Sequence, residues 1–545
     1  MSVVNEPTWS CCCGYDLSIR TAIGWGESVS AETNELEQFG YQQELKRTLG
    51  FFSNFGVAFT YLSPVVGIYS LFALGIGTGG PAYIWSMPLV IIGQILVALT
   101  FSEMASSFPL AGALFQWSKN LVGRKYGWWV GWIYAWALII TVASVDTGVS
   151  SYLATLINNV FGTHINGANN NVILLITVIF IVLQSLLNIV GVKVTGLIAR
   201  AGIYVEVLGT IGVAVLLAFL GFHHGVGFLT HSENVQNVRS NPYGVNFGGK
   251  WFPGAFLIAA LASVYLFYGF ESAGDVAEEV KDAKRQVPKA MLTTMVVGGI
   301  VSFLLVAALT LSIPGHNLSK VIAGGVPYIL SAQTSSVGLQ DILLLVIVLA
   351  FFGCGTAVQA AGSRVLFSYA RDNAMPFSAS LRNVSKRWQT PVVAVAVAGI
   401  LPVLFALLAR INPSKPIHIL FITYPANVNA LFILVSFATS GIYLSFQLVV
   451  IGGLWARLRG WRPAGFNLGR WAIPVYVLAI LYGLGMLVNI MYPSGLTSPR
   501  GVLFNYDWMT IAVVVLLLAL GGIYVLLHKP HSRIPEPLPW KEDRK

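Results

Sequence analysis

Apolar residues in this chain come in runs of about 20, separated by short stretches rich in glycine, proline and charge. At about 1.5 Å of rise per residue, such a run crosses a hydrocarbon core about 30 Å thick. A helix satisfies its backbone polar groups there without water. The pattern predicts twelve spans, at 51–79, 83–107, 127–158, 171–191, 196–222, 253–275, 289–313, 341–371, 391–410, 428–456, 471–492 and 507–527. The expected fold class is all-α integral membrane, with an N-tail over 1–50, a single membrane domain over 51–492 and 507–527, and a C-tail over 528–545. No short apolar stretch with a cleavage site precedes the first span, which is therefore expected to direct its own insertion.

Composition agrees: 56% of the chain is hydrophobic and 10% charged, which excludes a soluble globular class. Charge adds orientation. Across twelve spans, 26 of the 32 lysines and arginines fall on the side of the tails and 6 on the other, so both termini are expected in the cytoplasm; the plasma membrane is the expected location. The net charge of +10 is spread over short loops with no basic face interleaved with aromatics, so nucleic acid is not an expected partner; the bilayer is. Cys11–Cys13 are adjacent and Cys354 lies in an apolar run, which offers neither a disulfide framework nor a metal site. The triplet is either reduced or palmitoylated. Asn317-Leu318-Ser319 is a glycosylation triplet on the outer side, and the longest outer loop, 223–252, has room for a small lid at most.

An ionisable side chain inside a bilayer costs several kcal/mol unless paired or hydrated, so each is a candidate for function. The spans hold Asp146, Glu206, Glu271, Asp275 and Arg364. The first contains Ser63-Pro64-Val65-Val66-Gly67, where Pro64 removes a backbone donor and Gly67 tolerates unwinding. The sixth contains Tyr265 to Gly274, with Gly269 and Gly274 beside Glu271. Taken singly, Pro64 reads as a kink and Gly269 as a packing residue. Interrupted spans at corresponding places in two halves instead point to an inverted-repeat transporter. The freed N–H groups and positive end of a half-helix suit a substrate carboxylate, and freed carbonyls suit an ammonium. A zwitterionic or cationic small molecule is the expected substrate.

Four stretches resemble the amino acid–polyamine–organocation superfamily. They are Pro64 to Tyr69, Glu103 to Gly112, Gly269-Phe270-Glu271 with Ala277-Glu278-Glu279 and Pro288-Lys289-Ala290, and Arg364 with Ala370-Arg371-Asp372, Met375-Pro376 and Pro391. The resemblance covers roughly 50–400 and leans loosely toward the amino acid/choline or GABA branch. It implies a LeuT-like five-plus-five inverted repeat, over about 51–222 and 253–456, with two peripheral helices and a midplane site. By position, the backbone at Val65, Val66 and Gly67, flanked by Ser63 and Ile68, would hold the substrate carboxylate. That at Tyr268, Gly269 and Phe270 would help with the amine. Tyr265 stands at the place of an aromatic gate, unless it faces lipid. Valines where the family usually carries glycine put substrate size in question. Cys354-Gly355-Thr356 falls about where some relatives bind sodium, but the residues themselves define no metal site, and no cofactor is implied.

Proton coupling is the expected energy source, with Glu206 or Glu271 as the coupling group; the alternative for Glu206 is a structural role that ties helices together. Asp146 either meets a substrate amine or is satisfied by Thr141, Ser144 and Thr147. Glu278 and Glu279, among Lys281, Lys284 and Arg285, read as a solvated network steadying an inner gate. Transport of choline or polyamines, amino-acid exchange, and a transporter-like nutrient receptor are the competing functions. No selectivity-filter repeat supports a channel, and no Walker loop, nucleophile elbow or metal spacing supports an enzyme. Oligomeric state is not encoded in any of these features.

Overall fold

The computed structural model describes residues 36–190, 192–232, 251–315, 318–407, 415, 417–419, 422–424, 430–492 and 507–536. Cys11–Cys13 and Asn317 lie outside the described residues, as do 233–250 of the longest outer loop. The chain divides into two units, 1–44 and 45–545. The described part of the first is a turn in which the N–H groups of Phe39 and Tyr41 donate to the Leu36 carbonyl at 2.9 and 3.1 Å.

The second unit is built of helices. Ten stretches among the described residues are long and apolar enough to cross a membrane, and Trp251–Leu266 and Val392–Ala406 are shorter apolar helices. The helices that matter below are α1 (Phe51–Leu62), α2 (Pro64–Gly79), α3 (Ser86–Ser107), α4 (Arg124–Gly148), α5 (Asn170–Val190), α6 (Val192–Val207), α7 (Phe256–Leu266), α8 (Ala283–Leu311), α9 (Val337–Arg371), α10 (Val392–Ala406) and α11 (Ala430–Leu458). α1, α2, α4 and the second half of α9 are buried among the others, whereas α5 leaves Leu175, Ile179, Leu183 and Leu186 exposed. Such a leucine and isoleucine face suits contact with lipid.

One element departs from the all-α expectation. Ile417–Ile419 and Ile422–Tyr424 pair antiparallel, with Ile417 opposite Tyr424. β-branched and aromatic residues alternate with polar ones there, which is strand chemistry in a place where the reading by span length had only a loop.

Small residues set the closest helix approaches. A Cβ on Gly56 would stand 2.7 Å from the Ala199 carbonyl oxygen, and one on Gly202 would stand 2.4 Å from Thr60 Oγ1. The α1–α6 seam is therefore tight enough for a side chain of α6 to reach the backbone where α1 ends.

Candidate functional site

The first span breaks at a single residue. Ser63 is left-handed, with φ 42° and ψ 86°, between α1 and α2, and Pro64 follows at the first position of α2, where no N–H is needed. The strained conformation is held from several sides. Ser63 Oγ donates to Glu206 Oε1 at 2.5 Å and accepts from the Val66 N–H at 3.1 Å. The Val65 N–H donates to Glu206 Oε2 at 3.2 Å, and the Gly67 N–H to the Ser63 carbonyl at 3.1 Å.

This geometry corrects the expectation of an unwound stretch with N–H groups open to a substrate. Val65, Val66, Gly67 and Ile68 are helical, and the N–H groups of the first three are occupied. A carboxylate does sit at the positive end of the half-helix, and it is the protein's own Glu206. Two residues beyond Glu206, α6 continues as a π-helical turn over Leu208–Gly212. The Tyr69 hydroxyl donates to the Gly209 carbonyl at 3.4 Å, and a Cβ on Gly209 would lie 2.6 Å from Val65 Cγ2. The turn is thus part of the same site, and Gly209 and Gly212 in the sequence were its available signal.

The sixth span breaks over a longer stretch. α7 ends at Leu266, and Gly269 takes φ +104°, a value open to glycine and few other residues. The chain resumes as a short helical turn, Ser272–Asp275, so the break falls within the expected stretch. Glu271 folds back on the break, with Oε2 accepting the Gly269 N–H at 2.8 Å and Oε1 lying 3.4 Å from the Tyr134 hydroxyl. That hydroxyl also donates to Asp275 Oδ2 at 2.6 Å.

The two breaks face each other through their glycines. A Cβ on Gly269 would stand 2.8 Å from the Leu62 nitrogen, and one on Gly67 would stand 2.4 Å from Leu266 Cδ1. Aromatic rings close the surroundings: Tyr268 meets Tyr61 and Tyr265 edge-on, at ring-centre distances of 6.2 and 5.7 Å. Tyr265 is buried with its hydroxyl 3.4 Å from Ser144 Oγ, so it does not face lipid. Phe270 packs between Phe101 and Phe446.

Asp146 lies apart from the breaks, and its carboxylate takes a different partner from the expected hydroxyls. Thr141, Ser144 and Thr147 donate to carbonyls three or four residues back along α4, the usual local alternative for helical hydroxyls. Asp146 Oδ1 instead accepts from Gln184 Nε2 at 2.7 Å. Gly355 backs onto this pair, because a Cβ there would be 2.3 Å from Gln184 Nε2. Neighbouring Cys354 directs its thiol to the Tyr61 carbonyl at 3.3 Å.

Glu278 and Glu279 also overturn an expectation, because both are buried and neither belongs to a solvated network. Glu279 pairs with Arg364 at 2.7 Å. Glu278 pairs with Arg371 through both of its oxygens, at 2.7 and 2.9 Å, and accepts the Ala111 N–H at 3.0 Å. Nearby, Lys119 pairs with Asp372 at 2.8 Å; burial pushes the Lys119 ammonium below its ordinary pKa while Asp372 pulls the other way. A backbone seam joins the same face. Thr48 and Leu49 donate N–H groups to the Glu279 carbonyl at 2.9 Å each, and Lys281 donates to the Leu49 carbonyl at 2.9 Å. Glu103 completes the set with Arg457, whose Nε is 3.0 Å from Oε2.

Residues 49–517 match the family model for amino acid permeases, which takes in most of the chain. The chain is 26% identical over 533 residues to the amino-acid permease BAT1 homolog of Oryza sativa subsp. japonica, covering 93% of this chain and 94% of that protein. It is 25% identical over 530 residues to the GABA-specific permease of Saccharomyces cerevisiae, covering 94% and 88%. It is 26% identical over 541 residues to the thiamine transporter thi9 of Schizosaccharomyces pombe, covering 91% and 85%.

Proposed function

The chain belongs to the amino acid permease family, and on that premise we propose that it moves an amino acid or a related small amine by alternating access, driven by protons. As a family member it is a multi-pass integral membrane transporter of amino acids or related small molecules. The finer architecture belongs to the proposal: twelve spans, of which the first ten form a five-plus-five inverted repeat over about 51–222 and 253–456. The tails, 1–50 and 528–545, would lie in the cytoplasm and the protein in the plasma membrane.

One observation carries the mechanism. Two interrupted spans meet with the glycine of each break against a leucine of the other, and a buried carboxylate lies on the backbone of each break, Glu206 of α6 on Val65 and Glu271 on Gly269. The substrate would bind where they meet, between Ser63–Ile68 and Tyr265–Glu271. Tyr265 would cover it, and Glu206 or Glu271 would exchange the coupling proton. The buried ion pairs of Glu278 and Glu279 would hold the cytoplasmic side closed while this happens.

A second reading, transport of a choline-type or polyamine cation, is favoured by one feature. Glu206 takes the Val65 N–H, and Ser63 takes those of Val66 and Gly67, so the N–H groups expected to hold a substrate carboxylate are already filled. Purified protein in liposomes separates the two. Unlabelled leucine, GABA, choline and putrescine are tested for ligand-induced thermal stabilisation, and the winner for counterflow uptake. Zwitterions stabilising most supports the first reading, and cations alone doing so supports the second. Binding without counterflow would mark a receptor and overturn both.

A further inference from the structure

We infer that Tyr134 and Asp275 form, with Glu271, a proton relay that carries the coupling proton from the sixth-span break toward the face closed by Glu278 and Glu279. The inference rests on the proton-driven reading above.

It begins with a count of hydrogens. The Tyr134 hydroxyl lies 2.6 Å from Asp275 Oδ2 and 3.4 Å from Glu271 Oε1, and it has one hydrogen to give. Glu271, Asp275 and Tyr134 are all fully buried. Among the described residues, no lysine or arginine makes a salt bridge to either acid. Two ionised carboxylates around one neutral hydroxyl would set like charges side by side in a buried site, so one of the two acids holds a proton. Distance decides which. Tyr134 gives its hydrogen to the nearer acid, Asp275, and its own oxygen is left to accept from Glu271. Asp275 Oδ1 has no partner among the described residues and is free to take a proton onward.

The transfer balances with nothing added. The Glu271 O–H bond breaks as a bond forms to the Tyr134 oxygen, while the original Tyr134 O–H bond breaks as one forms at Asp275 Oδ2. One proton has then moved from Glu271 to Asp275, and the tyrosine is restored once its hydroxyl turns. Conformation enters through Gly269. Its N–H binds Glu271 Oε2 at 2.8 Å, so any change of the break that withdraws this donor makes Glu271 a better base.

Most ionisable groups on the elements packed around the relay are engaged elsewhere, while the buried Tyr61 hydroxyl has no hydrogen-bond partner among the described residues. Lys119 is paired with Asp372, Arg364 with Glu279 and Arg371 with Glu278. Cys354 donates to the Tyr61 carbonyl, and Lys289 of α8 lies over the Phe51 ring at 4.7 Å. The Tyr61 phenol stands across the break from Tyr268, while Lys284 and Arg285 lie at the start of α8. None of these groups supplies the relay with a positive charge.

The test uses the full-length chain in liposomes with labelled leucine and GABA as probes, comparing accumulation driven by an imposed pH gradient with counterflow in its absence. Tyr134→Phe, which removes only the hydroxyl, is expected to lower gradient-driven accumulation about tenfold or more relative to counterflow, and Asp275→Asn to do the same. Gradient-driven accumulation by Tyr134→Phe equal to wild type overturns the relay while leaving proton coupling intact. Counterflow without any gradient-driven accumulation in the wild type overturns both the relay and the proton-driven reading. A readout without substrate covers variants that fold poorly. Infrared spectra of wild-type protein at neutral pH are expected to show a protonated carboxyl band that shifts in Tyr134→Phe. A wild type with no such band overturns the proposal.

Discussion

Two groups of buried carboxylates divide this molecule. In the middle of the spans, Glu206, Glu271, Asp275 and Asp146 find only neutral donors: Ser63 and the Val65 N–H, the Gly269 N–H, the Tyr134 hydroxyl, and Gln184. At one face, Glu103, Glu278, Glu279 and Asp372 each hold a cation: Arg457, Arg371, Arg364 and Lys119. Burial is alike in both groups, so the difference lies in the partner. A carboxylate held by an arginine is a fixed charge, because taking up a proton would strand the buried guanidinium. One held by hydroxyls and amides can gain or lose a proton while its neighbours merely turn.

The sharpest break of this comparison is Arg364→Gln. It leaves the Glu279 charge buried and unpaired, at an expected cost of about 3–5 kcal/mol in thermal or denaturant unfolding. Replacing both partners by apolar residues of similar volume is expected to restore most of that loss, and a double variant no better than the single one would contradict the argument. Gly269→Ala tests the other group through its backbone. A left-handed alanine costs about 1–2 kcal/mol before its contact with Leu62 is counted. Counterflow is expected to fall further than stability does, because the break itself is displaced.

Ser63→Ala is a smaller change. It removes a donor to Glu206 and the cap on Val66, a loss of about 1 kcal/mol in the same unfolding measurement. Smallest in stability is Glu206→Gln, about 1 kcal/mol or less, since an amide can accept from the Val65 N–H and donate to Ser63 Oγ. Its effect is expected in uptake against pH, where the slope of the wild type should flatten. An unchanged slope would assign Glu206 to holding α6 against α1 and nothing more.

What the sequence makes legible here is local. Span length, Pro64 and the glycines around Glu271 locate both breaks, because hydropathy and backbone conformation are written in neighbouring residues. The partners are not local. Glu206 meets Ser63 across 143 positions, and Arg364 meets Glu279 across 85. Lys281, Lys284 and Arg285 stand much nearer to Glu279 in the chain, which is why a solvated network was the natural expectation. The same limit hid the occupied N–H group of Val65. Pro64 signals that a helix restarts there, but the cap comes from another span.

The backbone seam between Thr48–Leu49 and Glu279–Lys281 carries one further consequence. Its hydrogen bonds join neutral amides, so they contribute no charge for dissolved ions to screen, and the ion pairs beside them are buried and screened only weakly. Raising ionic strength therefore loosens at most part of this closure. If this side opens in transport as proposed above, it would have to part main chain from main chain, a step set by the path of the backbone and indifferent to the saltiness of the medium.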